Sequence, residues 1–99
     1  MKLPEDPLLL ELFPEFIDGW IVDLDEQFLP AYNNKNAQDV YRVGHTLKGT
    51  CFQFGIDEIA QMGISMMEAT KKEDWVEIYK LYLKIKGNFA SIKKELDSQ

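Results

Sequence analysis

The 99-residue sequence predicts an all-α protein: an antiparallel four-helix bundle with a short extra helix at its N-terminus. Two observations predict it. Apolar residues recur at three- and four-residue spacing almost throughout, and no window alternates in the manner of a strand. Capping residues, glycine and proline then divide that pattern into four long segments separated by short turns. A chain of this length builds one hydrophobic core, so the four segments belong to one domain spanning residues 1–99.

Asp6 followed by Pro7 has the form of an N-cap and first helical residue, starting a short helix through Leu8, Leu9, Leu10 and Leu12. Pro14 opens a longer helix whose apolar stripe is Phe16, Ile17, Trp20, Ile21, Leu24 and Phe28. Pro30 removes a backbone donor, so that helix is expected to kink or end within a few residues of it. Asn33, Asn34, Lys35 and Asn36 form the clearest interhelix loop. Asn36, with Asp39 three residues on, forms a capping arrangement and opens a helix from about Ala37 to Phe54, which Gly55 terminates. A third helix runs from about Asp57 to Thr70, with Lys71 and Lys72 at its negative pole. Asp74 with Glu77 repeats the capping pattern. It starts the last helix, in which Trp75, Ile78, Tyr82, Ile85, Phe89, Ile92 and Leu96 form a seam of alternating three- and four-residue steps.

The charge balance narrows the functional classes. The net charge is -6, and the acid is concentrated early: residues 1–26 carry eight Asp or Glu against the single Lys2. A nucleic-acid partner is not expected, because phosphate binding needs a concentrated positive surface. The lysines of the last helix are interspersed with acids and read as a solvated exterior. No apolar run approaches the roughly 18 residues of a membrane span, and MKLPEDP places acid and proline where a signal peptide has its apolar core. The expectation is a cytoplasmic monomer without membrane attachment. Cys51 is the only cysteine and His45 the only histidine, so neither a disulfide within the chain nor a four-ligand structural zinc site is available. Met62, Met66 and Met67 have the spacing of core filler.

The stretch HTLKGTCFQFG, residues 45–55, carries the chemistry. With about 100° per residue and Val40 at zero, Val43, Gly44, Leu47, Cys51 and Phe54 cluster around Leu47 as one buried face. His45 falls at about 140°, on the outer side, with Lys48 at about 80°, Tyr41 at about 100°, Phe52 at about 120° and Gly49 at about 180°. A glycine in a helix interior costs about 1 kcal/mol relative to alanine, and here its missing side chain leaves an approach to the imidazole. Lys48, three residues on, is placed to neutralise an anion formed there. Imidazole, with an ordinary pKa of about 6.5, offers a neutral nitrogen nucleophile near neutral pH and forms a labile N–P bond. The sequence has no Walker-type glycine loop and no acidic cluster near His45, so most of the phosphoryl-transfer machinery would arrive with a partner.

His45, Leu47, Lys48, Gly49 and Gly55 follow the H-x-[LI]-K-G-x-x-x-x-x-G pattern, and the chain resembles the histidine-containing phosphotransfer domains. The resemblance covers nearly the whole chain, because those domains are helical bundles of this size with the motif on the second long helix. It implies a phosphorelay intermediate without kinase activity of its own. His45 would accept a phosphoryl group from the phospho-aspartate of a response-regulator receiver domain or hybrid histidine kinase and pass it to another receiver. Mg²⁺ would come from the partner receiver, with no cofactor of the chain's own. The resemblance further implies Nε2 as the accepting atom, Lys48 as the phosphoryl-stabilising side chain and Gly49 as clearance for the receiver. Tyr41, Arg42 and Phe52 are the candidate docking residues. Thr50 is slightly larger than the Ser or Ala usual after the motif glycine, and Cys51 fits the buried face. Met1 and the complete set of helices lead to the expectation of a free-standing protein. The competing reading is a non-catalytic module that binds and regulates a receiver or histidine kinase without accepting phosphate.

Overall fold

A computed structural model describes residues 2–98. Met1, which entered the free-standing expectation, lies outside them. The described residues form helices and turns, with no strand among them. The helices are α1 (Pro7–Asp23), α2 (Leu29–Asn33), α3 (Ala37–Gln53), α4 (Asp57–Lys71) and α5 (Trp75–Asp97), and a π-helical turn, Leu24–Phe28, joins α1 to α2. α1, the π turn and α2 form one unbroken rod, so four long helical arms pack side by side in a body 39 × 20 × 17 Å. α4 packs against both α3 and α5, and α5 against α1, which places α3 and α5 across the bundle from one another.

Pro14 acts differently from the sequence expectation, whereas Pro30 acts as expected. The short leading helix is not separate from the helix expected to open at Pro14; Pro14 lies inside continuous α1. Its missing N–H and its ring both fall against the Leu10 carbonyl, and both residues are on the exposed side, where water can satisfy that oxygen. Phe13, Ile17 and Trp20 are buried on the other side and anchor the helix in the core on both sides of the defect. At Pro30 the ring would crowd the Glu26 carbonyl of a regular α-helix, and the wider π turn immediately before it relieves that contact. The Leu29 N–H reaches five residues back to the Leu24 carbonyl, and Leu24 and Phe28 both point fully into the core. The rod ends at Asn33, three residues past Pro30.

The three turns between arms share one design. Lys35, Gly55 and Glu73 each adopt positive φ, at 53°, 80° and 50°. After each, the next residue's N–H bonds five residues back: Asn36 to the Ala31 carbonyl, Ile56 to Cys51 and Asp74 to Ala69. This is the Schellman closure, and in all three turns that same next residue occupies the N-cap position of the following helix. Asn36 accepts from the Asp39 N–H and Asp74 from the Glu77 N–H, each at 3.1 Å, as the capping pattern predicts. Asp6 caps α1 through the Leu8 N–H at 2.8 Å.

The core is aromatic along its length. Phe16 stacks on Phe54 at 4.0 Å between ring centres, Trp20 on Phe89 at 6.1 Å and Phe28 on Tyr82 at 4.7 Å, tying the rod to α3 and α5. Ile78, Ile85 and Phe89 of the predicted α5 seam are fully buried, while Trp75 is half-buried at the bundle end, edge-on to Tyr32. Replacing a fully enclosed residue such as Leu47 with alanine would cost about 2–5 kcal/mol, through lost transfer energy and the cavity left behind.

Candidate functional site

α3 buries Val40, Gly44, Leu47 and Cys51, and its opposite side carries the candidate residues. His45, Arg42, Gly49 and Phe52 are exposed, while Lys48 and Tyr41 are half-buried. The face is fixed by close packing rather than by contacts of its own. Gly44 and Gly63 let the α3 and α4 backbones meet, so α3 cannot rotate without driving side chains into α4.

Among the described residues, the His45 ring makes no hydrogen bond or ion pair, and neither does the Lys48 ammonium. Residues three apart on a helix are neighbours, with Cβ atoms about 5–6 Å apart, so Arg42, His45 and Lys48 form one row along the outer face. Helical side chains lean toward the N-terminus. That tendency directs Lys48 toward His45 and His45 toward Arg42, and Arg42 itself is turned to Asp39. At Gly49 an added Cβ would meet nothing within 4 Å, and the surface one turn beyond the imidazole is open.

The flanks are more ordered. Arg42 pairs with Asp39 at 3.3 Å, both side chains being largely exposed. The other Asp39 carboxylate oxygen accepts from Asn36 Nδ2 at 2.9 Å, so the Asp39 side chain is anchored to the helix cap. The Lys71 ammonium at the end of α4 sits 5.9 Å from the centre of the Tyr41 ring. The sequence placed Lys71 only at a helix end; its meeting with Tyr41 depends on how α3 crosses α4. Thr46 and Thr50 turn their hydroxyls back into the helix, donating to the Arg42 and Thr46 carbonyls at 2.9 and 2.7 Å. Both hydroxyl protons are thereby taken up within the helix. A cleft of about 240 Å³ runs beside the row between α1 and α3, lined by Trp20, Asp23, Gln27, Asp39, Arg42, Val43 and Thr46.

Cys51 is fully buried, and burial pushes its thiol pKa up to about 12, which removes it from nucleophilic chemistry at neutral pH. Among the described residues no three His, Cys, Asp or Glu side chains gather to hold a metal ion, and no helix is long and apolar enough to cross a membrane. The arrangement presents one exposed imidazole in a row with Arg42 and Lys48, with open space over Gly49. No family model, curated protein or solved structure matches this chain.

Proposed function

We propose that this chain is a histidine-containing phosphotransfer domain, carrying a phosphoryl group on His45 between receiver domains of a two-component phosphorelay. The observation that carries this reading is the outward row on α3: an exposed, unpartnered imidazole, a lysine one turn on, and open space over Gly49. None of the three contributes to the core. An exposed helical glycine costs about 1 kcal/mol relative to alanine, so Gly49 is explained more readily by what must approach His45 than by the fold.

The lone pair of neutral His45 Nε2 attacks the phosphorus of the receiver's aspartyl phosphate. The N–P bond forms as the P–O bond to the carboxylate breaks, and that electron pair leaves with the receiver's aspartate. The Nδ1 proton stays on the ring, so the product is a phosphoimidazolium, which passes its phosphoryl group to a second receiver by the reverse exchange. Lys48 offsets the charge of the phosphoryl oxygens, and Mg²⁺ brought by the receiver would supply further neutralising charge.

Incubation with a phosphorylated cognate receiver and Mg²⁺ should place an acid-labile, alkali-stable phosphoryl group on the protein, and His45→Gln should abolish it. Label retained in His45→Gln would sink the assignment. A stable complex with receivers and no label would make the chain a non-catalytic binding module instead.

A further inference from the structure

We infer that Arg42 is a second phosphoryl-stabilising residue, held on Asp39 while His45 is unmodified and transferred to the phosphoryl group once His45 carries it. This deepens the phosphotransfer reading and rests on it. The argument starts from the row on α3. Arg42 lies three residues before His45, and the imidazole leans toward the helix N-terminus, so a group on Nε2 comes to lie over the turn that Arg42 occupies. Lys48 approaches the same group from the other side. A phosphoryl group bearing nearly two negative charges would thus sit between a lysine and an arginine.

Arg42 is free to move at little cost. Its only partner among the described residues is Asp39, at 3.3 Å, with side-chain exposures of 69% and 46%. A single exposed carboxylate pair of this kind is weak, because water and salt screen it and both side chains lose freedom in holding it. The phosphoryl group offers twice the charge and three acceptor oxygens that suit the guanidinium fork. Losing Arg42 does not leave Asp39 adrift, because Asn36 Nδ2 still donates to its second oxygen at 2.9 Å. The Asp39 backbone N–H remains bonded to the Asn36 cap, so α3 keeps its N-terminus throughout. The exchange also alters the surface, since Asp39 borders the α1–α3 cleft and would lose its cationic neighbour. Phosphorylated and unphosphorylated forms would then differ at a place a receiver can touch.

The test is the equilibrium constant for transfer from a phosphorylated receiver to His45, measured on the full chain at concentrations where the free proteins predominate. Under those conditions contacts within the complex cancel. Arg42→Ala should lower the constant about three- to tenfold by removing one charge-assisted partner of the phosphoryl group. Asp39→Asn should raise it, by about two- to fivefold at most, by removing the competitor. The double variant should match Arg42→Ala alone, since Asp39 acts only through Arg42. On phosphorylation, the Arg42 side-chain Nε–H resonance should shift in the wild type and in Asp39→Asn. Normal labelling of His45 with a constant unchanged in both single variants would overturn the exchange alone. Failure of the wild type to label would overturn the exchange together with the phosphotransfer reading.

Discussion

Gly44 of α3 and Gly63 of α4 face each other so closely that a Cβ on either would collide with the other's backbone. A Cβ on Gly44 would lie 2.9 Å from the Gly63 carbonyl oxygen, and one on Gly63 would lie 2.8 Å from the Gly44 carbonyl oxygen and 2.9 Å from the Lys48 nitrogen. The obstacles are backbone atoms, which cannot move aside without separating the helices. Gly63→Ala is therefore expected to destabilise the protein by about 1–3 kcal/mol, read as a lower midpoint in chemical denaturation. Gly44→Ala should behave alike. A neutral result in both would mean that the helices separate at no cost, and that the packing does not fix the direction of His45.

Gly49 lies on the same helix and predicts the opposite sign. Its backbone is helical and its surroundings are open, so Gly49→Ala removes only the conformational penalty of glycine and should stabilise the protein by up to about 1 kcal/mol. A longer side chain separates fold from function. Gly49→Gln should keep or raise the melting temperature while slowing phosphoryl transfer from a receiver, because the amide would occupy the approach to His45. Transfer at the wild-type rate in Gly49→Gln would mean that the open space is not the receiver's path.

What the sequence disclosed and what it concealed divide along physical lines. The helices were legible because their apolar period is local, and the outward direction of His45 followed from that period alone. Continuity through Pro14 was not, since it depends on whether the freed Leu10 carbonyl meets water or protein. Lys35 and Glu73 gave no sign of their left-handed backbone, because only Gly55 has the residue type that advertises one. At the site, Lys48 and Gly49 were visible as spacings, and Arg42 was visible only as a docking residue. Its pairing with Asp39 depends on side-chain direction, and the meeting of Lys71 with Tyr41 depends on the crossing of two helices.

The π turn has a pH signature. It aims Asp25 at α5, where its carboxylate accepts from the Tyr82 hydroxyl at 2.9 Å and the Lys86 ammonium at 3.1 Å. These two hydrogen bonds hold the Asp25 pKa below its ordinary 3.8. Burial, and then the bond to Asp25, raise Tyr82 above its ordinary 10.0. Lys86 is raised above 10.5, first by its bond to Asp25 and then by its bond to Tyr82. A lowered carboxylate stabilises the fold above the unfolded value and loses that contribution as pH falls through the folded one, whereas the raised groups lose theirs as pH rises. The cluster thus stabilises the fold fully between about pH 4 and pH 10 and fades on either side. Denaturation midpoints measured from about pH 2 to about pH 7 should fall less steeply below about pH 4 in Asp25→Asn than in the wild type; parallel curves would show that the cluster adds nothing to stability.

Lys48 offers the sharpest division between chemistry and structure. Its ammonium makes no hydrogen bond or ion pair among the described residues, and its stem lies half-buried along α3. Lys48→Ala removes charge and some stem packing but leaves no buried polar group unpaired, so helical content should be unchanged and stability altered by roughly 0.5 kcal/mol or less. The phosphorylated state loses much more, because a charge-assisted hydrogen bond to the phosphoryl oxygens is worth about 1.5–3 kcal/mol where it is well formed. Transfer to His45 should therefore fall by about tenfold or more, with Lys48→Arg recovering part of the loss by restoring the charge in a different geometry. A melting temperature that dropped sharply in Lys48→Ala, with transfer reduced only in proportion to the unfolded fraction, would make Lys48 a packing residue and leave Arg42 as the cation beside His45.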